Sequence, residues 1–201
     1  ATAENTGVPN SDAWGALMIA FNSPPRFIVV HCSDTEDGPG LSWEAIRQYH
    51  MSYRHNGRTI SEDEARVLMA GGAHVEAPWE DIGYNLGLEL YGTSIVIEPG
   101  RPLHVQGAHC AAQGRNHDSI GVCIVGTFDD EPPAPAVLDC VVHVLAWLCL
   151  LLHVPAERVV GHREMDPEKT CPGARFDMDT LRELVGERIK HGLLFLGWVN
   201  T

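Results

Sequence analysis

The chain has 201 residues, of which 44% are hydrophobic and 20% charged, and this composition suits a single globular domain with a buried core. Its 27 acidic residues outnumber the 14 basic residues and give a formal net charge of −13. A chain this acidic is not expected to bind nucleic acid or an anionic membrane through bulk electrostatics. We therefore expect a substrate to be recognised locally, in a cleft.

No secretory signal is visible, because residues 1–25 open with acidic and polar side chains and lack a basic stretch. The longest apolar run, Val141–Val154, is shorter than the ~20 residues of a membrane span and contains His143 and His153. We expect a buried helix there and no integral membrane association. The six cysteines form no closely spaced pair, which argues against a small disulfide-bonded scaffold.

The first predicted strand is Phe27–Val30, whose four consecutive apolar residues are typical of a strand buried on both faces. It leads directly into His31, and a polar cluster after a buried strand is where α/β sheets place their chemistry. Two helices follow, from Trp43 to about Tyr53 and over Glu62–Ala70. A capping box precedes the second helix, and two glycines end it.

The rest of the chain alternates between strand-like and helix-like patterns. The predicted elements are strands at Tyr84–Leu90, Ser94–Glu98 and Ser119–Phe128, a long apolar helix at Ala136–His153, a short strand at Arg158–Val160 and an amphipathic helix at Asp179–Lys190. This order predicts an α/β fold, with a single domain and a mixed central β-sheet flanked by helices on both faces. The long helix is apolar on nearly every side, so we expect it to pack deep against the sheet.

Two histidines and one cysteine form a possible metal site. His31 and His162 each end a predicted strand, and Cys171 lies in a loop that Pro172 stiffens. Two imidazoles and a thiolate are a sound zinc set, and three protein ligands leave a fourth position for water, as in catalytic sites. Spacing alone leaves an alternative open, in which the histidines are hydrogen-bonded strand-end residues and the cysteine is a loop thiol.

Four sequence blocks carry a resemblance to a known family. They are Phe27–Thr35, then Asp81–Asn85, then Arg101–His109 continuing to Asn116–Gly126, and finally Val160–Glu164 with Lys169–Gly173. In this order they resemble the zinc-dependent N-acetylmuramoyl-L-alanine amidases of type 2, a group that includes phage lysozyme-type amidases and peptidoglycan recognition proteins. The resemblance spans roughly residues 27–185 and implies hydrolysis of the amide between N-acetylmuramic acid and L-alanine in peptidoglycan or a muropeptide.

The resemblance also implies roles for individual residues. It makes His31, His162 and Cys171 the ligands of one Zn²⁺ ion. Tyr84 matches a tyrosine beside the catalytic water, and Lys169 matches a lysine associated with transition-state stabilisation. These roles are physically sound, because zinc lowers the pKa of bound water from about 15.7 to near 7 and a cation stabilises the oxyanion of an attacked amide.

Three further residues lie near the substrate groove according to the resemblance: His109, Asn116 and His117. Their polar side chains suit the recognition of peptide and sugar groups, so we expect them to bind substrate. For His109 the alternative is that it only organises its loop. The sequence leaves the oligomeric state open.

The resemblance divides the chain into three regions. We expect an N-terminal extension at 1–25, a zinc amidase domain at 26–192 and a C-terminal tail at 193–201. Residues 53–80 are longer than the matching stretch of the phage relatives, so we expect an insertion at one wall of the groove. A phage or prophage lysin, made in the cytoplasm and acting on the cell wall, is the favoured setting, with the periplasm as the alternative.

Two other functions compete with the amidase. One is a non-catalytic peptidoglycan-binding module, since some peptidoglycan recognition proteins keep the groove but lack the zinc cysteine. The presence of Cys171 and Tyr84 favours catalysis. The other is a thiol hydrolase, whose nucleophile commonly lies at a helix N-terminus. Cys171 instead precedes a Pro-Gly pair in a loop.

Overall fold

The computed structural model describes residues 18–35 and 42–195. Its strands are β1 (Phe27–Cys32), β2 (Tyr53–His55), β3 (Arg58–Ile60), β4 (Leu86–Tyr91), β5 (Ser94–Pro99), β6 (Ser119–Ile124) and β7 (Val159–Gly161). Its α-helices are α1 (Trp43–His50), α2 (Glu62–Ala70), α3 (Pro135–Leu152), α4 (His162–Met165) and α5 (Met178–Phe195). The predicted strands and helices are thus present, with shifted boundaries.

Five strands form a mixed sheet in the order β5-β4-β6-β1-β7. Strands β4, β6, β1 and β7 are parallel, and β5 is antiparallel to β4. Strand β1 lies between β6 and β7, so the segments that follow β1 and β7 leave the sheet side by side. Ligands of open α/β sheets bind at this carboxyl edge.

Helices cover both faces of the sheet, as predicted. On one face, Ile28 and Val30 of β1 belong to a large apolar cluster that includes residues of α3 and α5. On the other face, Trp43 of α1 packs with Ile82 and with a cysteine of β6. Its ring lies against Gly87, where an added Cβ would be 2.5 Å from the ring. This close approach holds α1 against the sheet.

The predicted insertion contains a hairpin that the sequence pattern did not predict. Helix α1 ends at His50 and does not reach Tyr53, because β2 begins there and pairs with β3. The turn is Asn56-Gly57, with φ angles of 49° and 73°, as expected for the commonest two-residue hairpin turn. The buried guanidinium of Arg54 stacks on the rings of two aromatic residues of the surrounding chain, Tyr49 and Trp79.

Helix α3 is less deeply buried than its composition predicts. Residues such as Leu145 and Leu148 lie in the core, but Trp147 and Leu151 are 52% and 51% exposed. Among the described residues it is the one helix whose length and composition would allow it to cross a membrane. It packs here against the sheet and α5.

The ends of the described chain differ from the predicted regions. Helix α5 runs to Phe195 and so includes the first residues of the predicted tail, whereas 196–201 lie outside the described residues. At the other end, Ala20 forms a β-bridge with Val105. Part of the predicted extension 1–25 therefore packs on the domain, and residues 1–17 lie outside the description. The domain boundaries themselves stay predictions.

Candidate metal centre and active site

The structure brings together His31, His162 and Cys171 at the carboxyl edge of the parallel strands. One possible ligand atom from each of them lies within 4.8 Å of the other two. His31 lies one residue before the end of β1. His162 is the first residue of α4, directly after β7. The adjacency of β1 and β7 therefore places two imidazoles side by side, and the loop after α4 adds the sulfur.

The donor atoms fit a metal ion. The Nδ1 atom of His31 lies 3.6 Å from the Cys171 Sγ atom, and the rings of His31 and His162 are 4.6 Å apart between centroids. Burial, together with the nearby rings of His109 and His162, holds the pKa of His31 well below its usual value. Burial also lowers the pKa of His162. Both imidazoles are therefore neutral, which is the form that binds a metal.

The Cys171 sulfur is held by backbone as well as by its loop. It accepts a hydrogen bond from the Cys32 N–H at 3.3 Å. Contact with the Cys32 thiol and burial raise the pKa of Cys171. A metal cation bound between the three donors would instead lower the pKa of Cys171, since the thiolate is the form that binds a metal.

Arg163 ties the Cys171 loop to the helix that begins at His162. Its backbone N–H donates to the Cys171 carbonyl at 2.7 Å. Its guanidinium donates to the carbonyls of Gly173 and, at 2.6 Å, of Phe176. Because Arg163 directly follows His162, one residue fixes the relative position of two of the three donors.

Asp129 holds the same loop from the opposite side. Its carboxylate accepts hydrogen bonds from the Thr170 hydroxyl at 3.1 Å and from the Ala174 N–H at 2.7 Å. Asp129 does not stand out in the sequence. For Arg163, the position next to His162 is the signal that points to its role.

Tyr84 lies beside the donors, and the charge of Lys169 acts on His162. Tyr84 precedes β4 in the chain. The centroid of its ring lies 5.2 Å from that of the His31 ring. Burial, with the nearby Cys123 and Cys171, raises the pKa of Tyr84 well above its usual value, so its hydroxyl stays protonated and can donate. Lys169 is exposed, two residues before Cys171.

The three residues expected to bind substrate are largely engaged within the protein. His109 is only 8% exposed, and its Nδ1 atom lies 3.0 Å from the His31 Nε2 atom. The Asn116 Oδ1 atom accepts from the His109 N–H at 2.9 Å and from the next N–H at 2.8 Å. The His117 Nδ1 atom pairs with the Gln106 Oε1 atom at 2.8 Å. Their contact with substrate stays a prediction.

Comparison with known proteins yields consistent relatives. A family model described as N-acetylmuramoyl-L-alanine amidase matches residues 21–174. The endolysin of Escherichia phage T7 is 31% identical over 156 residues, which cover 75% of this chain and 81% of that protein.

Solved structures share the fold. The amidase LysC from Clostridium intestinale URNW has a TM-score of 0.56 at 20% identity, covering 84% of this chain and 89% of that one. A point mutant of Drosophila PGRP-LB, solved in complex with tracheal cytotoxin, has a TM-score of 0.53 at 24% identity, covering 81% of this chain and 86% of that one.

The fold and these relatives together define an amide hydrolase that acts on peptidoglycan. The chain belongs to the N-acetylmuramoyl-L-alanine amidase family. It is an enzyme that cleaves the bond between N-acetylmuramic acid and L-alanine, so the predicted resemblance, fold class and activity are confirmed.

Proposed function

We propose that this amidase depends on one Zn²⁺ ion held by His31, His162 and Cys171. The observation that carries the proposal is the convergence of their donor atoms within 4.8 Å. Among the described residues the group has three members, which suits a catalytic ion with an open coordination position. Two neutral imidazoles and a thiol are also a donor set that zinc favours.

The surrounding residues have distinct tasks in this proposal. A bound Zn²⁺ supplies Lewis acidity and lowers the pKa of water towards 7. Lys169 stabilises the negative charge that develops on the amide oxygen, because a cation at the site favours an oxyanion. The protonated Tyr84 hydroxyl donates a hydrogen bond to the same oxygen or orients the attacking water. Arg163 keeps the Cys171 loop in place.

The proposed substrate is the cell wall itself or a muropeptide released from it. The phage endolysin among the relatives supports a phage or prophage enzyme that acts on the wall. The PGRP-LB mutant solved with tracheal cytotoxin supports binding of a muropeptide, which the second candidate, a binding module without hydrolysis, would share. Cys171 favours the enzyme, since it completes the donor set.

The test is digestion of purified peptidoglycan followed by mass spectrometry. We expect peptides with a free L-alanine amino terminus and glycan strands with intact lactyl groups. Chelator should abolish their release, and added zinc should restore it. Cys171→Ala should lose both zinc and hydrolysis, while the matched control Cys140→Ala, on α3, should keep both. Activity that survives chelator but not alkylation would instead identify a thiol hydrolase.

A further inference from the structure

We propose that His109 is a positioning residue, which fixes the tautomer and orientation of His31 and does not contact substrate. The proposal rests on the proposed zinc site. It assigns His109 a task different from the one that the sequence predicts.

The proposed metal site and the hydrogen bond between the two rings together define the tautomer of His31. Its Nδ1 atom faces the Cys171 sulfur at 3.6 Å, and its Nε2 atom lies 3.0 Å from the His109 Nδ1 atom. A neutral imidazole has one N–H and one lone pair. Nδ1 needs its lone pair for the metal, so Nε2 carries the hydrogen and donates it to His109. Metal-binding histidines almost always donate their second N–H to an acceptor, commonly a carboxylate, a backbone carbonyl or water; in this proposal the acceptor is the His109 imidazole.

The surroundings of His109 are shaped to hold this ring. Its backbone N–H donates to the Asn116 side chain at 2.9 Å. Gly107 and Gly121 line the ring, and a Cβ added at either position would lie under 3.0 Å from it. A residue larger than glycine at either position would displace the imidazole. Both glycines therefore leave room for the His109 ring.

The energetics also favour a role in holding His31. The His109 Nε2 atom is buried without a hydrogen bond of ordinary geometry, and the ring interacts with the Ser119 backbone. An apolar side chain would fill the same space without burying a polar atom there. The bond to His31 is the interaction that an apolar residue could not provide. One nitrogen of the His109 ring contacts His31 and the other is buried. Neither is therefore accessible to a ligand.

The test compares His109→Leu, which removes the acceptor, with His109→Gln, whose Oε1 atom can accept. Zinc affinity is measured by competition with a chromophoric chelator, and kcat and KM are measured on muropeptide. We expect His109→Leu to bind zinc about 10–100-fold more weakly, the range typical for such partners of metal ligands. Its KM should not change, and His109→Gln should recover most of the affinity. His143→Leu, on α3, is the control and should match the wild type.

The outcomes separate this proposal from the zinc site itself. Wild-type zinc affinity in His109→Leu, with a raised KM, would show a substrate contact and overturn the positioning role. A wild-type enzyme that cleaves peptidoglycan without zinc would overturn the proposed function instead. If His109→Leu does not fold, ¹⁵N NMR of the zinc-loaded wild type decides. A hydrogen on the His31 Nε2 atom supports the proposal, and a hydrogen on Nδ1 overturns it.

Discussion

The partly buried ring of His50 makes the free energy of unfolding depend on pH. Its Nδ1 atom accepts a hydrogen bond from the Gly83 N–H at 3.1 Å, and the ring lies 4.7 Å from that of Trp79 between centroids. Burial, together with the charges of Arg54 and Arg101, lowers the pKa of His50 from 6.5 to about 4. Between about pH 4 and pH 6.5, the His50 ring is therefore neutral in the folded chain and protonated in the unfolded chain.

The sign and size of the effect follow from this difference. The stability that neutral His50 contributes is fully present above about pH 6.5 and is lost as the pH falls towards about 4. At about 1.36 kcal/mol for each pKa unit, the loss relative to neutral pH is about 2.5 kcal/mol at about pH 4.5. Stability must fall with acidification, because the unfolded state binds more protons.

The assay is urea unfolding of the wild type and of His50→Gln, in chelator, from about pH 7.5 to about pH 4.5. Gln can still accept from Gly83 but does not titrate, and the remaining groups contribute about equally to both proteins. The stability of the wild type relative to the variant should therefore fall by about 2.5 kcal/mol over this range. Parallel pH profiles would refute the reasoning.

Three further predictions concern catalysis, the loop and the fold. Tyr84→Phe and Lys169→Ala should keep zinc, measured by metal analysis. Each should lower kcat about 10²–10³-fold, since each removes one donor to the oxyanion. Unchanged turnover would exclude that role. Asp129→Asn should weaken zinc binding about tenfold, the equivalent of one lost hydrogen bond to the Cys171 loop, and wild-type affinity in the chelator competition would contradict this. Gly87→Ala should lower the unfolding free energy by about 1–3 kcal/mol because the new methyl group meets the Trp43 ring, whereas an unchanged melting temperature would show that the ring can move.

Local patterns predicted the elements whose signals are contained in short stretches. Helix α2 begins and ends where its capping box and two glycines indicate, and β1 follows from a run of apolar residues. The hairpin β2–β3 went unpredicted because its strands have three residues each. The Asn56-Gly57 pair was the one sequence signal for this hairpin. The exposed face of α3 depends on which side the sheet and α5 cover, and composition alone does not encode this.

The candidate site likewise contains features that the sequence predicts and features that it does not. The residue types of His31, His162 and Cys171, with the block order, predicted which side chains come together. The bonds that hold them depend on contacts distant in sequence, such as that of His31 with His109 and those of Asp129 with the Cys171 loop. No periodic pattern reports such contacts, so the sequence did not predict the buried hydrogen bond between His109 and His31.

Zinc K-edge X-ray absorption of the purified enzyme tests the convergence of the three donors most directly. The spectrum should show one zinc per chain with two imidazole nitrogens at about 2.0–2.1 Å and one sulfur at about 2.3 Å, and Cys171→Ser should lose the sulfur signal. A zinc ion without a sulfur neighbour, or a spectrum that Cys171→Ser leaves unchanged, would contradict the proposed site.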